Sequence, residues 1–238
     1  MGINLSVVRF RGVPVLRQLQ IEEALFRAGS GNWCLINDGT DPAVVLGISG
    51  SPDEVCAGCP YPLIRRFSGG GTVVVDEGTV FCSLILDGFD LPVPLTPRDV
   101  MQWSRELLRP AFLPHDLVLE EQDYVLDGKK VGGTAQSFSR NRGVHHVSFL
   151  WSWQEERMAF LRMPQRQPVY RAEREHGAFC NRLSKYFSSR NIFIDAILRA
   201  VEKGFDCRYT TQDEAEEAMA LSHRTAVSRC AKICHDIR

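Results

Sequence analysis

Arg65-Arg66-Phe67-Ser68-Gly69-Gly70-Gly71-Thr72 sets two guanidinium groups ahead of three consecutive glycines, and the β-branched run Val73-Val74-Val75 follows. Glycines in a row are costly to order in a sheet, so their presence points to backbone that something must approach closely. Amide groups in such a loop can cradle an anion, while an arginine fork can hold phosphate or carboxylate oxygens. A bulge or tight bend between strands is the purely structural alternative. A second cluster, Asp127-Gly128-Lys129-Lys130-Val131-Gly132-Gly133-Thr134-Ala135-Gln136, places lysines among small residues. Strict alternation puts Lys130, Gly132 and Thr134 on one face and Val131, Gly133 and Ala135 on the other, which permits an inward-facing Lys130 ammonium. Lys129 reads as the solvated tip of a hairpin.

The elements that must position these groups are set out by periodicity. Ile21, Ala24, Leu25 and Ala28 share one helical face, so Val15 to Ala28 reads as an amphipathic helix that ends at Gly29. Strands are expected near Leu5 to Arg9, Trp33 to Asn37 and Ala43 to Ile48, with Ser49 to Pro62 as loop. Ile64 to Phe67 enters the glycine run and Thr72 to Val75 leaves it. Asp76-Glu77-Gly78 then turns the chain into Thr79 to Leu86, which predicts a β-hairpin with a glycine loop at its entrance. Further strands are expected at Leu117 to Glu120, Asp123 to Leu126, Lys129 to Ala135 and Val144 to Trp151, with helices at Arg98 to Leu108, Gln154 to Leu161 and Ile192 to Lys203. Met163 to Gly177 reads as irregular. Thr211-Gln212-Asp213-Glu214 has capping-box spacing and predicts a polar helix to about Lys232. This order, mostly β in the middle with helices at the ends, is α+β rather than regular βαβ alternation.

The chain has 238 residues, 44% hydrophobic and 24% charged, with a formal charge of −1. That balance suits one sizeable globular core and gives no general electrostatic attraction to nucleic acid. No apolar run reaches membrane-spanning length and no secretory signal is evident, so a cytoplasmic protein is expected, with no membrane partner. The eight cysteines are scattered and read as reduced thiols. Cys56-Ala57-Gly58-Cys59 has the spacing of a redox pair or half a zinc site, and Cys230, Cys234 and His235 are the available complement, but a loop with incidental thiols is the preferred reading.

Arg65-Arg66-x-Ser68-Gly69-Gly70-Gly71-Thr72-Val73-x-x-Asp76, followed by Gly128-Lys129-Lys130-Val131-x-Gly133-Thr134-Ala135-Gln136 and His145-His146, resembles the lipoate-protein ligase A type of the biotin/lipoate protein ligase family. The resemblance spans roughly Leu16 to Leu183 and takes in Glu22-Glu23 and Val44-Val45-Leu46-Gly47. It implies a mixed, mostly antiparallel β-sheet flanked by helices, with a catalytic domain over residues 1–204 and a C-terminal helical extension over 205–238. It also implies ATP-dependent activation of lipoate or octanoate to an acyl-adenylate, then transfer to a lysine of a lipoyl acceptor domain, of the 2-oxoacid dehydrogenase E2 or glycine cleavage H type. Carried over by position, Arg66 and Gly71, Thr72, Val73 and Val74 match nucleotide contacts. Gly69, Gly70, Gly71 and His146 match the acyl site, and Lys130 matches the lysine that touches both. Mg²⁺ is expected with ATP, with Asp123 as its partner, and the Val-rich hairpin and Phe149-Leu150-Trp151 are candidates for the slot that takes the acyl tail, plain core being the alternative for those aromatics.

The sequence departs from the pattern at Val75, where the family usually has His before the motif's Asp. A separate accessory domain is not evident in 206–238, so a two-component ligase or a stand-alone transferase stays open. A transferase working through a cysteine thioester without ATP needs a thiolate near Lys130, for which Cys82 and Cys180 are the candidates. A biotin ligase is disfavoured because its Gly-Arg-Gly-Arg type of loop is missing. A ligand-binding protein that has lost turnover is the alternative from a different class.

Overall fold

The computed structural model describes residues 2–164 and 167–230. The chain begins with β1 (Asn4–Arg11), α1 (Val15–Arg27), β2 (Asn32–Asp38), β3 (Ala43–Leu46) and β4 (Leu63–Arg65). After the glycine run come β5 (Val73–Val75), β6 (Thr79–Asp87), α2 (Pro97–Leu108), β7 (Val118–Glu120), β8 (Asp123–Leu126), β9 (Lys129–Phe138) and β10 (Arg142–Leu150). The remainder holds α3 (Glu155–Met158), α4 (His176–Phe179), α5 (Arg190–Glu202), β11 (Asp206–Tyr209), α6 (Gln212–Glu216) and β12 (Ser228–Cys230). No helix among the described residues is long and apolar enough to cross a membrane.

Two sheets result. The large one runs β11-β1-β2-β6-β10-β9-β8-β7 and the small one β12-β4-β3-β5. Pairing is parallel for β11-β1, β1-β2 and β3-β4 and antiparallel elsewhere, so the expected mixed, mostly antiparallel arrangement is what forms. Helix α2 starts at an N-cap Thr96 with Pro97 at the first position, and α5 starts at Ser189, whose hydroxyl accepts from the Ile192 amide. These two helices close one face of the large sheet over a core that includes Tyr124, Val147, Phe149 and Phe193. The other face packs against α1 and the small sheet through Phe26, Val45, Phe67, Val75 and Val144. A third cluster, with Val44, Leu46 and Val74, lies on the outer side of the small sheet.

Two expectations are corrected. β5 and β6 do not form a hairpin: β5 pairs with β3, whereas β6 pairs with β2 and β10. The turn is present, with Thr79 N donating to Asp76 O at 3.0 Å and Gly78 N to Asp76 Oδ1 at 2.8 Å, but it hands the chain from one sheet to the other. Arg157 fixes it there through Asp76 Oδ2 at 2.8 Å and Glu77 Oε2 at 2.6 Å. A turn sequence reports a change of direction and says nothing of which partner each arm finds.

Nor is the end of the chain a helical extension. Helical structure stops at Ala220, and β11 and β12 add edge strands to the large and small sheets; residues 231–238 lie outside the described residues. The signal that overrides helix propensity is remote. Glu23, buried on α1, accepts Ala226 N and Val227 N at 2.9 Å and is paired with Arg27 at 2.7 Å, so the backbone after Thr225 is drawn to α1 and delivered to β4.

Glu23→Ala removes the acceptor of buried amides and is expected to cost about 3 kcal/mol. Denaturant unfolding measures that loss, and limited proteolysis should show new cleavage between Leu221 and Val227 under native conditions.

Candidate functional site

The glycine run is tied down by Arg66. Arg66 is buried, and its Nε and Nη2 donate to Gly69 O at 3.1 and 2.8 Å, with Nη2 also reaching Gly71 O at 2.8 Å. Burial lowers its pKa to about 10, which leaves it charged at neutral pH. Arg65 Nη1 donates to the carbonyls of Gly47, Ile48 and Gly50. The forks therefore satisfy loop carbonyls rather than face outward as the sequence suggested, because a loop of bare glycines has carbonyls that need donors once water is excluded. Gly70 adopts φ +98°, and a Cβ there would lie 2.8 Å from Arg66 Nη2. A Cβ on Gly71 would meet nothing within 4 Å.

The run lies against β9. Gly69 N donates to Gln136 O at 3.1 Å, and a Cβ on Gly70 would be 3.7 Å from the Ala135 Cβ. Ala135 pairs with His146 of β10, so the two side chains share a face. Lys130 reaches that same face by a route that strict alternation misses. Val125 pairs with Lys130 but Tyr124 pairs with Gly132, leaving Val131 as an extra residue, a β-bulge. The phase shifts: a Cβ on Gly132 would press on Phe149 in the core, while a Cβ on Gly133 would sit 3.0 Å from Lys130 Nζ. Lys130 thus belongs with Gly133, Ala135 and His146. Its Nζ is 2.7 Å from Asp123 Oδ1, and Asp123 Oδ2 accepts the Tyr170 hydroxyl at 2.8 Å.

The paired histidines divide between faces. His145 is in the core, within 3.3 Å of the Tyr124 hydroxyl, and burial, then the neighbouring His146, lowers its pKa to about 3, so it is neutral. His146 Nδ1 lies 2.8 Å from Glu22 Oε2 and 3.3 Å from Ser83 Oγ, and its Nε2 is buried without a protein partner. Ser68 Oγ, next to the Phe67 ring that packs on His146, is also buried without one. Behind Glu22 runs a polar chain: Gln18 Nε2 donates to Glu22 Oε1 at 2.8 Å, and Asn37 Nδ2 donates to Gln18 Oε1 at 2.9 Å. Burial pushes the Glu22 pKa up, but His146 and the bonds from His146, Ser83 and Gln18 outweigh it and hold the carboxyl below its ordinary range.

The family model for the lipoyl protein ligase A/B catalytic domain matches residues 14–206. The chain belongs to this family. It is 27% identical over 257 residues to the inactive lipoate-protein ligase 2 of Plasmodium falciparum, covering 79% of this chain and 66% of that one. A Schizosaccharomyces pombe protein carrying the lipoate-protein ligase A name is 28% identical over 62% of this chain and 41% of its own. The chain thus spans less than two thirds of these relatives' length. Among solved structures, a lipoate-protein ligase A bound with ATP superposes with a TM-score of 0.72 at 18% identity, covering 92% and 93% of the two chains. A bipartite lipoate-protein ligase from Thermoplasma acidophilum gives 0.73 at 20% identity, covering 92% and 91%. At these identities the likeness is one of fold.

Of the residues carried over from the lipoyl-ligase motif, the structure puts Lys130 and His146 on one face of the large sheet, with Gly69 and Gly70 laid against Gln136 and Ala135 of β9. Thr72 is turned aside to Glu54 of the Ser51-to-Glu54 capping turn. Val73 is half-buried, Val74 faces the third cluster and Val75 the second. Phe149 is sealed in the core by Phe112 and Phe193 and forms no acyl slot. Both oxygens of Asp123 are already engaged, and no group of three or more metal-ligating side chains forms among the described residues, so the side chains present do not make a protein-held Mg²⁺ site. Cys56 and Cys59 are free thiols, and Cys234 and His235 lie outside the described residues. Sequence reasoning took in Glu22 only as part of the resemblance and singled out none of Gln18, Ser83 and Tyr170. Gln18 and Glu22 carried a signal: they interrupt the apolar stripe of α1 at Ile21 and Leu25.

Gly70→Ala combines a left-handed φ with a clash and is expected to destabilise by about 2 kcal/mol, whereas Gly71→Ala should stay within about 0.5 kcal/mol of the parent. Thermal and denaturant unfolding compare the two. The Glu22 carboxyl holds its proton less tightly folded than unfolded, so its contribution is fully present above the ordinary 4.5 and is lost as pH falls through the lower folded value. The stability gap between parent and Glu22→Gln should shrink as pH falls below ~5, as followed by urea midpoints across acidic pH.

Proposed function

We propose that the chain activates lipoate or octanoate with ATP to an acyl-adenylate and transfers the acyl group to a lysine of a lipoyl acceptor domain. The observation that carries this reading is the bulge that turns the Lys130 ammonium onto the face shared by His146 and the glycine run. The open space over Gly71 and the buried, unpartnered Ser68 Oγ and His146 Nε2 suit a ligand that brings its own polar atoms.

In the first half-reaction the acyl carboxylate oxygen attacks the α-phosphorus of ATP and pyrophosphate leaves. Two anions must approach, and a fixed cation between them stabilises charge that accumulates toward the transition state. Lys130 is that cation. In the second half-reaction the acceptor lysine amine attacks the mixed anhydride carbonyl, AMP leaves, and the same ammonium holds the carbonyl oxygen as it gains negative charge. Backbone amides of the glycine run would seat the phosphate or acyl oxygens, with Arg66 supporting the loop from beneath. Mg²⁺ would arrive on the nucleotide's phosphates, as this small, strongly hydrated ion commonly does. The acceptor is read as a lipoyl domain of the E2 or H-protein type, with an accessory subunit as a further partner.

A cysteine-based transferase gains one observation. Cys180 forms a backbone bridge with Lys130, which puts a thiol beside the proposed cation. Burial, however, raises that thiol's pKa despite the pull of Lys130 and Arg171, so the protonated form is favoured. Cys82 is buried in the core on the opposite face, in register with Val147.

Incubation with ATP, Mg²⁺ and lipoate or octanoate should release pyrophosphate and form acyl-AMP, then acylate a lipoyl domain. Lys130→Ala should keep the fold and lose at least about a hundredfold in both steps. ATP-independent acyl transfer abolished by Cys180→Ser would favour the transferase. Lipoate binding without adenylate would favour a binding protein.

A further inference from the structure

The segment that follows Pro168 runs along the β8-β9 hairpin and is fastened at Glu121, just before β8, and at Lys130 itself. Val169 N donates to Glu121 Oε1 at 2.6 Å, and Asn181 N donates to Lys130 O at 2.7 Å. Between these anchors Tyr170 reaches in and gives its hydroxyl to Asp123 Oδ2, the oxygen that Lys130 does not use. The Tyr170 ring is held by Phe179 at 5.1 Å between centroids, so the phenol approaches Asp123 from a fixed direction.

We propose that Tyr170 is a positioning residue for Lys130, acting through Asp123: the phenol fixes the carboxylate plane so that one oxygen alone holds the ammonium over Gly133. This rests on the lipoyl-ligase reading of Lys130. Asp123 is buried, and a buried carboxylate needs donors on both oxygens. With Tyr170 supplying Oδ2, Lys130 contributes one of its three N–H donors to Asp123, and the others remain for the ligand's anionic oxygens above the side-chain-free Gly133. Without the phenol, Oδ2 is left bare. The carboxylate then turns to claim the ammonium with both oxygens, in competition with the substrate carboxylate. Tyr170 thereby sets how much of the Lys130 ammonium stays available to an external anion.

Tyr170→Phe should raise the KM for octanoate about tenfold, since a hydrogen bond to a charged group has been lost from one side of the competition, while kcat stays within about twofold. In an Asp123→Asn background, where the competing anion is gone, the same change should leave KM unmoved. A second measurement needs no turnover. In urea unfolding, Tyr170→Phe and Lys130→Met should be non-additive by at least about threefold in the unfolding equilibrium constant, and additive once Asp123 is Asn. Equal losses in kcat with KM unchanged, or an additive cycle in the native background, overturn the proposal. A parent that forms no acyl-adenylate but shows the non-additive cycle disposes of the ligase reading and leaves the Tyr170-Asp123-Lys130 linkage standing.

Discussion

One unpaired residue, Val131, decides which face of the large sheet carries the cation. Side chains on a strand alternate with period two, so a single inserted residue moves everything beyond it to the opposite side. Upstream of the bulge Lys130 extends toward the α1 side; downstream Gly132 points into the core against Phe149, and Gly133 and Ala135 share the face of Lys130. With regular pairing, Lys130 would share the face of Gly132 and Val147 and be buried with Tyr124 and Phe149, where an ammonium has no partner. The glycines follow from the same geometry. Gly132 is required by the buried Phe149 ring, and Gly133 leaves room for the lysine that crosses it.

The face so chosen is unusually polar for an interior. Asn37, Gln18, Glu22, His146 and Ser83 form a chain of buried polar groups between α1 and the large sheet, in the middle of the second core. Such a chain contributes little net stability and costs heavily if broken, because each member depends on the next for its partner. Its function is to fix direction. Glu22 takes Nδ1 of His146 and leaves Nε2 as the ring's unpartnered end, beside a ring contact with Phe67 and hence next to the glycine run.

Much of this was legible beforehand. The helix of α1, the strands flanking the glycine run and the hairpin tip at Asp127-Gly128 follow from local periodicity and turn chemistry, and the two glycine-rich clusters do meet. What was not legible depends on distant partners. The bulge leaves no mark in Lys130-Val131-Gly132, the turn at Asp76 looks the same whether its arms pair or part, and the strand at Ser228 is made by Glu23, more than two hundred residues earlier. Tyr170 is hidden for the same reason: its partner Asp123 lies on another element, and nothing in the intervening sequence ties them.

The cations near the glycine run are not equivalent, although the sequence lists three of them as candidates. Arg66 can leave its carbonyls only by unmaking the loop, and Arg65 holds three carbonyls of the preceding segment. Lys130 differs in kind. Its side chain is 21% exposed, its stem is flexible, and its carboxylate partner Asp123 leaves ammonium donors for another anion. On the proposed function, Arg66 therefore builds the loop whose amides receive the ligand, Arg65 steadies the segment before it, and the single lysine supplies the charge that meets the ligand. This division also accounts for Val75. Its side chain is buried in the second core with Phe67 and Val45, so on the proposed function it supplies packing and the charge comes from Lys130.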